Sequence, residues 1–172
     1  MLLWETVTDL RSGAEALRRG RYGVIEVVDG RLQAVHLRPW PKWISIGAVV
    51  WQTWFGRGGR RDRCLVYYDQ PLRYPNFLAV KYAYSTLGTT YRTIRAAAVA
   101  LDQIARIKGS DALLCEAWNS RISDRLLRRW GWERHVPGSS RRHYIKRFYG
   151  EYPAYAEIDA FCDENEPVLT AS

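Results

Sequence analysis

Short runs of alternating apolar and polar residues predict several β-strands in the first half of the chain. The strongest signal is a hairpin, with β-branched runs at 22–28 and 31–37 on either side of Asp29-Gly30. Leu65 to Tyr68 predicts a shorter strand. Phe77 to Ser85 is apolar and rich in aromatic residues, which is typical of a strand inside a sheet.

One long segment, Arg92 to Lys108, has the period of a helix instead. Its apolar face is formed by Ile94, Ala97, Ala98, Leu101, Ile104 and Ala105. Thr90 or Thr93 can cap the start of this helix, and Gly109 can end it in the left-handed conformation.

A further strand, helix and strand are predicted after this helix, at 112–118, 120–130 and 142–149. Two strands joined by a helix of this length favour a parallel pair with a right-handed crossover. The amides at the helix start then lie beside the end of the first strand, a position that suits an anion.

The segments that flank the hairpin are less clear. Residues 3–18 predict a helix that ends at Gly20. Trp43 to Phe55 also favours a helix, because Trp43, Gly47, Val50, Trp51 and Trp54 cluster on one face. Two interpretations of this segment compete. We favour a core helix or a homodimer contact over an anchor in a membrane interface.

The 172 residues are enough for one domain, and an apolar content of 47% argues against global disorder. All 26 basic residues but only 12 of the 18 acidic ones lie in residues 1–150, which gives this part a formal charge of +14. We therefore expect a single domain over 1–150 and an acidic C-terminal tail over 151–172. The basic body, including the arginine-rich loop 56–63, can attract nucleic acid, an acidic membrane surface or an anionic cofactor.

The three cysteines, Cys64, Cys115 and Cys162, are widely separated. They form neither a disulfide framework nor a zinc spacing, so we predict no metal site. Their use suits a reducing, cytoplasmic setting. Glu5 and Asp9 interrupt the apolar character of the first residues, so we expect no signal peptide.

The order strand, loop, long helix, strand, Asn, helix, Gly-aromatic, strand over residues 77–149 resembles the GNAT superfamily of acyl-CoA-dependent N-acetyltransferases. That family carries Arg/Gln-x-x-Gly-x-Gly/Ala where the crossover helix starts. The matching positions are Arg92 to Ala97, with Arg95 where the family has glycine. Asn119 and the segment 130–132 resemble the family's Asn after its fifth strand and its later Gly-Phe pair.

The resemblance implies an α/β (α+β) fold, with a mixed, mostly antiparallel sheet flanked by helices and a central parallel strand pair. It also implies acetyl-CoA as co-substrate and an amine as acceptor. The phosphates are expected near residues 90–97 and the pantetheine arm against 83–85. The cofactor-binding candidates are Ala83, Ser85, Arg92, Thr93, Arg95, Ala96, Ala97 and Asn119. Arg95 either adds a guanidinium to the phosphate site or blocks it.

Acyl transfer to an amine needs a base, and Glu116 in an apolar strand is the first candidate. Its alternative is a Glu on a solvated face or one paired with an Arg. His143 is a second candidate base, or a residue that only marks a sheet edge. The Tyr that often protonates the thiolate in the family is missing from the last helix. Tyr84 and Tyr91 flank the expected groove and can replace it.

The function predicted from the sequence is therefore transfer of an acetyl group from acetyl-CoA to an unidentified amine. The first alternative is a catalytically silent GNAT-like module that binds a partner through its N-terminal half. The second is binding of RNA or an acidic surface through the basic, aromatic N-terminal half.

Overall fold

The computed structural model describes residues 5–40, 62–86, 88–116, 122–136, 138 and 140–153. These residues form eight strands and three helices. In chain order they are β1 (Glu5–Val7), α1 (Ala14–Arg19), β2 (Tyr22–Val28), β3 (Arg31–Arg38), β4 (Arg63–Asp69), β5 (Phe77–Ser85), α2 (Tyr91–Lys108), β6 (Ala112–Glu116), α3 (Asp124–Arg129), β7 (Glu133–His135) and β8 (His143–Arg147).

All eight strands belong to one sheet with the order β1-β3-β2-β4-β5-β6-β8-β7. Strands β5 and β6 are parallel, and the other neighbouring pairs are antiparallel. Helix α2 connects the two parallel strands. The fold is therefore mixed α/β with a mostly antiparallel sheet and a parallel pair inside it, as predicted.

The β2–β3 hairpin turns at Asp29 and Gly30, as predicted. Both residues have positive φ, 51° and 74°, which matches the twist that a two-residue hairpin turn requires. A Cβ at Gly30 would also lie 2.7 Å from the side chain of Arg92, which would have to move aside.

Helix α2 also agrees with its sequence pattern. Thr90 caps its start by accepting a hydrogen bond from the Thr93 amide, and Gly109 ends it with a φ of 64°. Its buried face includes Ala97, Leu101 and Ile104. This face packs with residues of α1 and α3 against one side of the sheet, forming the main hydrophobic core.

The opposite side of the sheet carries a smaller apolar cluster. Val24, Leu65 and Tyr67 form this cluster, and Tyr84 packs against it. Successive residues of a strand point to opposite faces, so each central strand contributes to both layers. The described helices and this cluster are thus separated by the sheet.

Two predicted elements differ from the structure, and one strand is additional. The helix predicted over residues 3–18 is wrong for Glu5 to Val7, which pair with β3, and α1 covers only 14–19. The loose spacing of apolar residues there also suits a short edge strand whose Val7 is buried beside Val35. Helix α3 begins at Asp124 after a Ser123 cap instead of at 120, and the strand β7 was not predicted.

Several predictions concern residues outside the described ranges. These are the helix Trp43 to Phe55, most of the arginine-rich loop, Asn119 and the tail from residue 154. The chain packs on the domain as far as Pro153, whose carbonyl accepts a hydrogen bond from Gln103 at 3.0 Å. None of the helices in the described part combines the length and apolar character that crossing a membrane requires.

Candidate functional site

Within the described residues, the parallel strands β5 and β6 pair only along part of their length. Phe77 to Val80 pair with Ala112 to Cys115, whereas β5 continues to Ser85 with β4 as its described neighbour. Beyond Cys115, Glu116 pairs with β8. The two strands therefore diverge, and we call the gap between residues 81–85 and residues 115–116 the fork.

A β-bulge lies where the fork opens. On β4, Tyr67 pairs with Tyr82, but the next residue, Tyr68, pairs with Val80. Lys81 is thus the extra residue of β5. An extra residue bends a strand and increases its local twist, which accounts for the departure of β5 from β6 at this point. The side chain of Lys81 is exposed, so its charge stays in solvent.

A cavity of about 190 Å³ occupies the fork. One wall is made by the strands and includes Ala83, Tyr84, Ser85, Cys115 and Glu116. The other wall is made by helices α2 and α3 and the turn after them, with Ile94, Ala98, Leu101, Leu127, Trp130 and Trp132. Among the described residues that line this cavity, Glu116 is the one with a charged side chain.

Two of the predicted catalytic residues, Glu116 and Tyr84, line this cavity, and a third is adjacent. Glu116 lies directly opposite His143 in the antiparallel β6–β8 pair, so both side chains share one face of the sheet. Arg141 approaches Glu116, with 3.5 Å between Nη1 and Oε1. This contact is the paired state foreseen as an alternative. The Arg141 side chain is 63% exposed, so the ion pair contributes little to stability.

Tyr91 and Arg95 lie together at the helical wall. The Tyr91 hydroxyl accepts a hydrogen bond from the Trp130 indole N–H at 3.2 Å. The guanidinium carbon of Arg95 lies 5.6 Å from the centroid of the Trp130 ring, a cation–π distance. Trp130 lines the cavity, whereas Arg95 does not.

The start of α2, predicted to accept phosphate, is covered by a carboxylate of the chain itself. Asp62 accepts hydrogen bonds from the Thr90 amide at 2.9 Å, from Thr90 Oγ1 at 2.5 Å and from Thr93 Oγ1 at 2.6 Å. Thr93 is fully buried and also accepts a hydrogen bond from the Gly30 amide at 2.8 Å. Burial raises the pKa of Asp62, but the hydrogen bonds from Thr90 and Thr93 outweigh it and lower the pKa.

The predicted cofactor-binding residues therefore do not share one place. Ala83, Ser85 and Ala97 line the cavity. Arg92 lies against the turn at Gly30, and Thr93 belongs to the cap of α2. The remaining two described candidates lie in neither place, since Arg95 stacks on Trp130 and Ala96 packs against the core.

Two thiols also line the cavity. Burial raises the pKa of Cys64 to about 12 and that of Cys115 to about 11, with Asp62 and Glu116 respectively adding to the effect. Both thiols are therefore protonated at neutral pH. Since the thiolate is the nucleophilic form, neither cysteine is suited to attack a substrate.

Sequence reasoning missed two features of this region. Asp62 is 28 positions from Thr90 and lies in a stretch that reads as a basic loop, so no local pattern marks it as a helix cap. Trp130 and Trp132 enter the sequence prediction only as part of a Gly-aromatic motif. Their spacing around Gly131, which ends α3, is the available signal that both rings can face one cavity.

Within the described ranges, no group of three or more His, Cys, Asp and Glu side chains is arranged to hold a metal ion. No protein-family model, curated protein or solved structure matches this chain.

Proposed function

We propose that this protein is an acyl-CoA-dependent acyltransferase that acts on an amine and binds the thioester arm of the coenzyme in the fork. The observation that carries this proposal is the divergence of β5 and β6 over an apolar cavity. Along residues 81–85, β5 turns one backbone edge toward the fork. An extended ligand that carries amide groups, as pantetheine does, can pair with such an edge in the way that an added strand does.

The chemistry requires one bond to form and one to break. The amine nitrogen attacks the thioester carbonyl carbon, an N–C bond forms, and the C–S bond breaks. In this proposal the Glu116 carboxylate takes the proton that the amine loses. The departing thiolate takes a proton from the Tyr84 hydroxyl, which recovers one from water. Both residues border the fork, where the strands leave a gap between the two faces of the sheet, and the Tyr84 side chain also packs against the cluster on the face opposite α2.

The phosphates need a different position from the one that the helix start offers. Asp62 already accepts the hydrogen bonds of Thr90 and Thr93 there, and a second anion would be repelled. Arg95 is a better candidate because its guanidinium lies at the Trp130 edge of the cavity. A guanidinium can form two parallel hydrogen bonds with a phosphate.

The first test is binding of coenzyme. We expect acetyl-CoA to raise the melting temperature in a concentration-dependent way, because a ligand that binds only the folded state stabilises it. Isothermal titration calorimetry would give the dissociation constant. No stabilisation by coenzyme A or its thioesters, in protein shown to be folded by circular dichroism, contradicts the proposal.

The second test concerns Glu116. Once a substrate amine is found among simple polyamines and peptides, Glu116→Gln should lower kcat by about 10²–10⁴-fold and leave coenzyme affinity nearly unchanged. Glu133→Gln is the matched control, because Glu133 is an exposed, ion-paired residue on β7. Equal rates for the two variants would remove Glu116 from the mechanism.

A catalytically silent binding module is the second candidate function. Two observations favour it, namely the Asp62 cap over α2 and the contact of Arg141 with Glu116. The two candidates differ in one measurement. A silent module that retains the fork binds coenzyme without turnover of any amine, and Glu116→Gln then behaves like the parent protein.

A further inference from the structure

The helical wall of the fork is more extensive than an acetyl group requires. We propose that the cavity holds an acyl chain of about six carbons, so that the preferred donor is a medium-chain acyl-CoA. This inference rests on the proposed function and names the donor that the same site would select.

The inner part of the cavity is apolar. Leu101, Leu127 and Trp132 contribute to its wall, and each is more than nine-tenths buried. Val66 and Val80 complete the wall near the point where the strands join. A charged or strongly polar ligand group would lose its hydration there without gaining a partner, so the inner part selects a hydrocarbon.

The polar groups lie at the opposite end. Glu116 and Ser85 are the last residues of β6 and β5, and the cavity extends from them toward Leu101, three turns into α2. A thioester carbonyl beside Glu116 therefore directs its alkyl chain toward Leu101. The geometry orders the ligand with the reacting group at the mouth and the chain inside.

The volume of the cavity limits the length of the acyl chain that it can hold. An apolar cavity of about 150 Å³ in another protein is known to take a benzene ring, which has six carbons. The cavity in the fork measures about 190 Å³. With the thioester at the mouth, an acetyl methyl would leave most of the inner space unfilled, whereas a chain of about six carbons would occupy it.

A series of donors tests the inference. Coenzyme A and its acetyl, butanoyl, hexanoyl and dodecanoyl thioesters are titrated into the folded protein by calorimetry. We expect affinity to rise about fourfold for each methylene from acetyl to hexanoyl, the usual gain on burying a methylene, and to rise no further at dodecanoyl. Equal affinities for acetyl-CoA and hexanoyl-CoA overturn the inference and leave the proposed function standing.

A pair of variants tests where the acyl chain of the ligand lies. Ala98 lines the cavity, whereas Ala96 on the same helix does not. Ala98→Leu should lower hexanoyl-CoA affinity at least tenfold and change that of free coenzyme A less than threefold. Ala96→Leu should change neither by more than threefold. Ala98→Val, a smaller change, replaces Ala98→Leu if circular dichroism shows that the leucine variant is unfolded. If the substitutions at 98 and 96 have equal effects on hexanoyl-CoA affinity, the placement of the acyl chain beside Ala98 is wrong.

Hexan-1-ol separates this inference from the proposed function. If no form of coenzyme A binds, the proposed function fails. Thermal stabilisation by hexan-1-ol that is lost in Ala98→Leu then still supports an alkyl site in the fork. Absence of that stabilisation overturns the alkyl site as well.

Discussion

The start of α2 and the fork lie close together, at the same end of β5, yet they differ in what fills them. At the helix start, Asp62 accepts three hydrogen bonds from Thr90 and Thr93. At the fork, apolar side chains surround about 190 Å³ of space. The amides of a helix start attract any nearby carboxylate, including one from the same chain. A helix start is therefore a ligand site only where the fold leaves it open.

The two regions also differ in what a ligand can gain. The polar groups around Asp62 already satisfy one another, so a phosphate would have to replace existing hydrogen bonds and gain little. The wall of the fork gains contacts and loses water-exposed apolar surface when a hydrocarbon enters. The start of α2 is therefore closed to a further anion, whereas the neighbouring fork is suited to an apolar ligand group.

The largest expected effect comes from breaking the ion pair that fixes α2, the helix common to both regions. Asp102 on α2 accepts a hydrogen bond from Lys146 on β8 at 2.7 Å, and both side chains are nearly buried. Asp102→Ala leaves the Lys146 ammonium buried without its carboxylate and should lower the free energy of unfolding by about 3–5 kcal/mol. Urea denaturation measures this change.

The control for that prediction is an exposed ion pair on neighbouring strands. Glu133 pairs with Arg147 at 3.0 Å, with side chains 64% and 38% exposed. Glu133→Ala should cost less than about 1 kcal/mol. A similar, small loss in both variants would mean that the Asp102 pair does not hold α2 in place.

The second prediction separates the helix start from the fork. Asp62→Ala removes the acceptor at the front of α2 and should cost about 1–2 kcal/mol of stability, the usual range for loss of a helix cap. Affinity for acetyl-CoA should change less than threefold if the coenzyme arm binds in the fork, as proposed. A tenfold or greater gain in affinity would show that the opened helix start binds the phosphates and would contradict the placement at Arg95.

The stabilisation that Asp62 provides at the start of α2 depends on pH. The pKa of Asp62 in the folded protein is lowered from its ordinary value of 3.8, so the unfolded chain takes up the proton first as the pH falls. The stabilisation is therefore complete above that ordinary value and is lost as the pH falls through the lowered pKa. Asp62→Asn keeps an acceptor oxygen but removes this charge. Below pH 4, the free energy of unfolding of this variant should therefore fall less steeply than that of the parent protein, as measured by urea denaturation at each pH.

The smallest expected effect concerns the cation at the helical wall. Arg95→Ala removes the contact with Trp130 and should cost about 0.5–1 kcal/mol of stability, a typical value for a partly exposed cation–π pair. It should also weaken acetyl-CoA binding by about three- to tenfold if Arg95 meets a phosphate. Arg128→Ala, on the exposed side of α3, is the control. Equal affinities of the two variants would remove Arg95 from the phosphate site.

Residues of the candidate site were predicted unevenly. Glu116, Tyr84, Ala83 and Ser85 come together at the fork because they end strands that the crossover helix makes parallel neighbours. Arg92 was predicted beside them, yet its side chain lies against Gly30, on the hairpin. A motif gives the order of residues along a helix, but it does not state which side of the helix faces the ligand.

The sequence by itself determined the elements whose signals are local. The Asp29-Gly30 turn, the Thr90 cap and the Gly109 end of α2 each follow from a few neighbouring residues, because those residues set the backbone conformation there. Only the tertiary structure decided which side chains meet across long separations. Asp62 covers the start of a helix whose cap residue, Thr90, lies 28 residues later, and Lys81 opens the fork because β4 pairs around it. Such pairings depend on the packing of the whole sheet, which no local pattern contains.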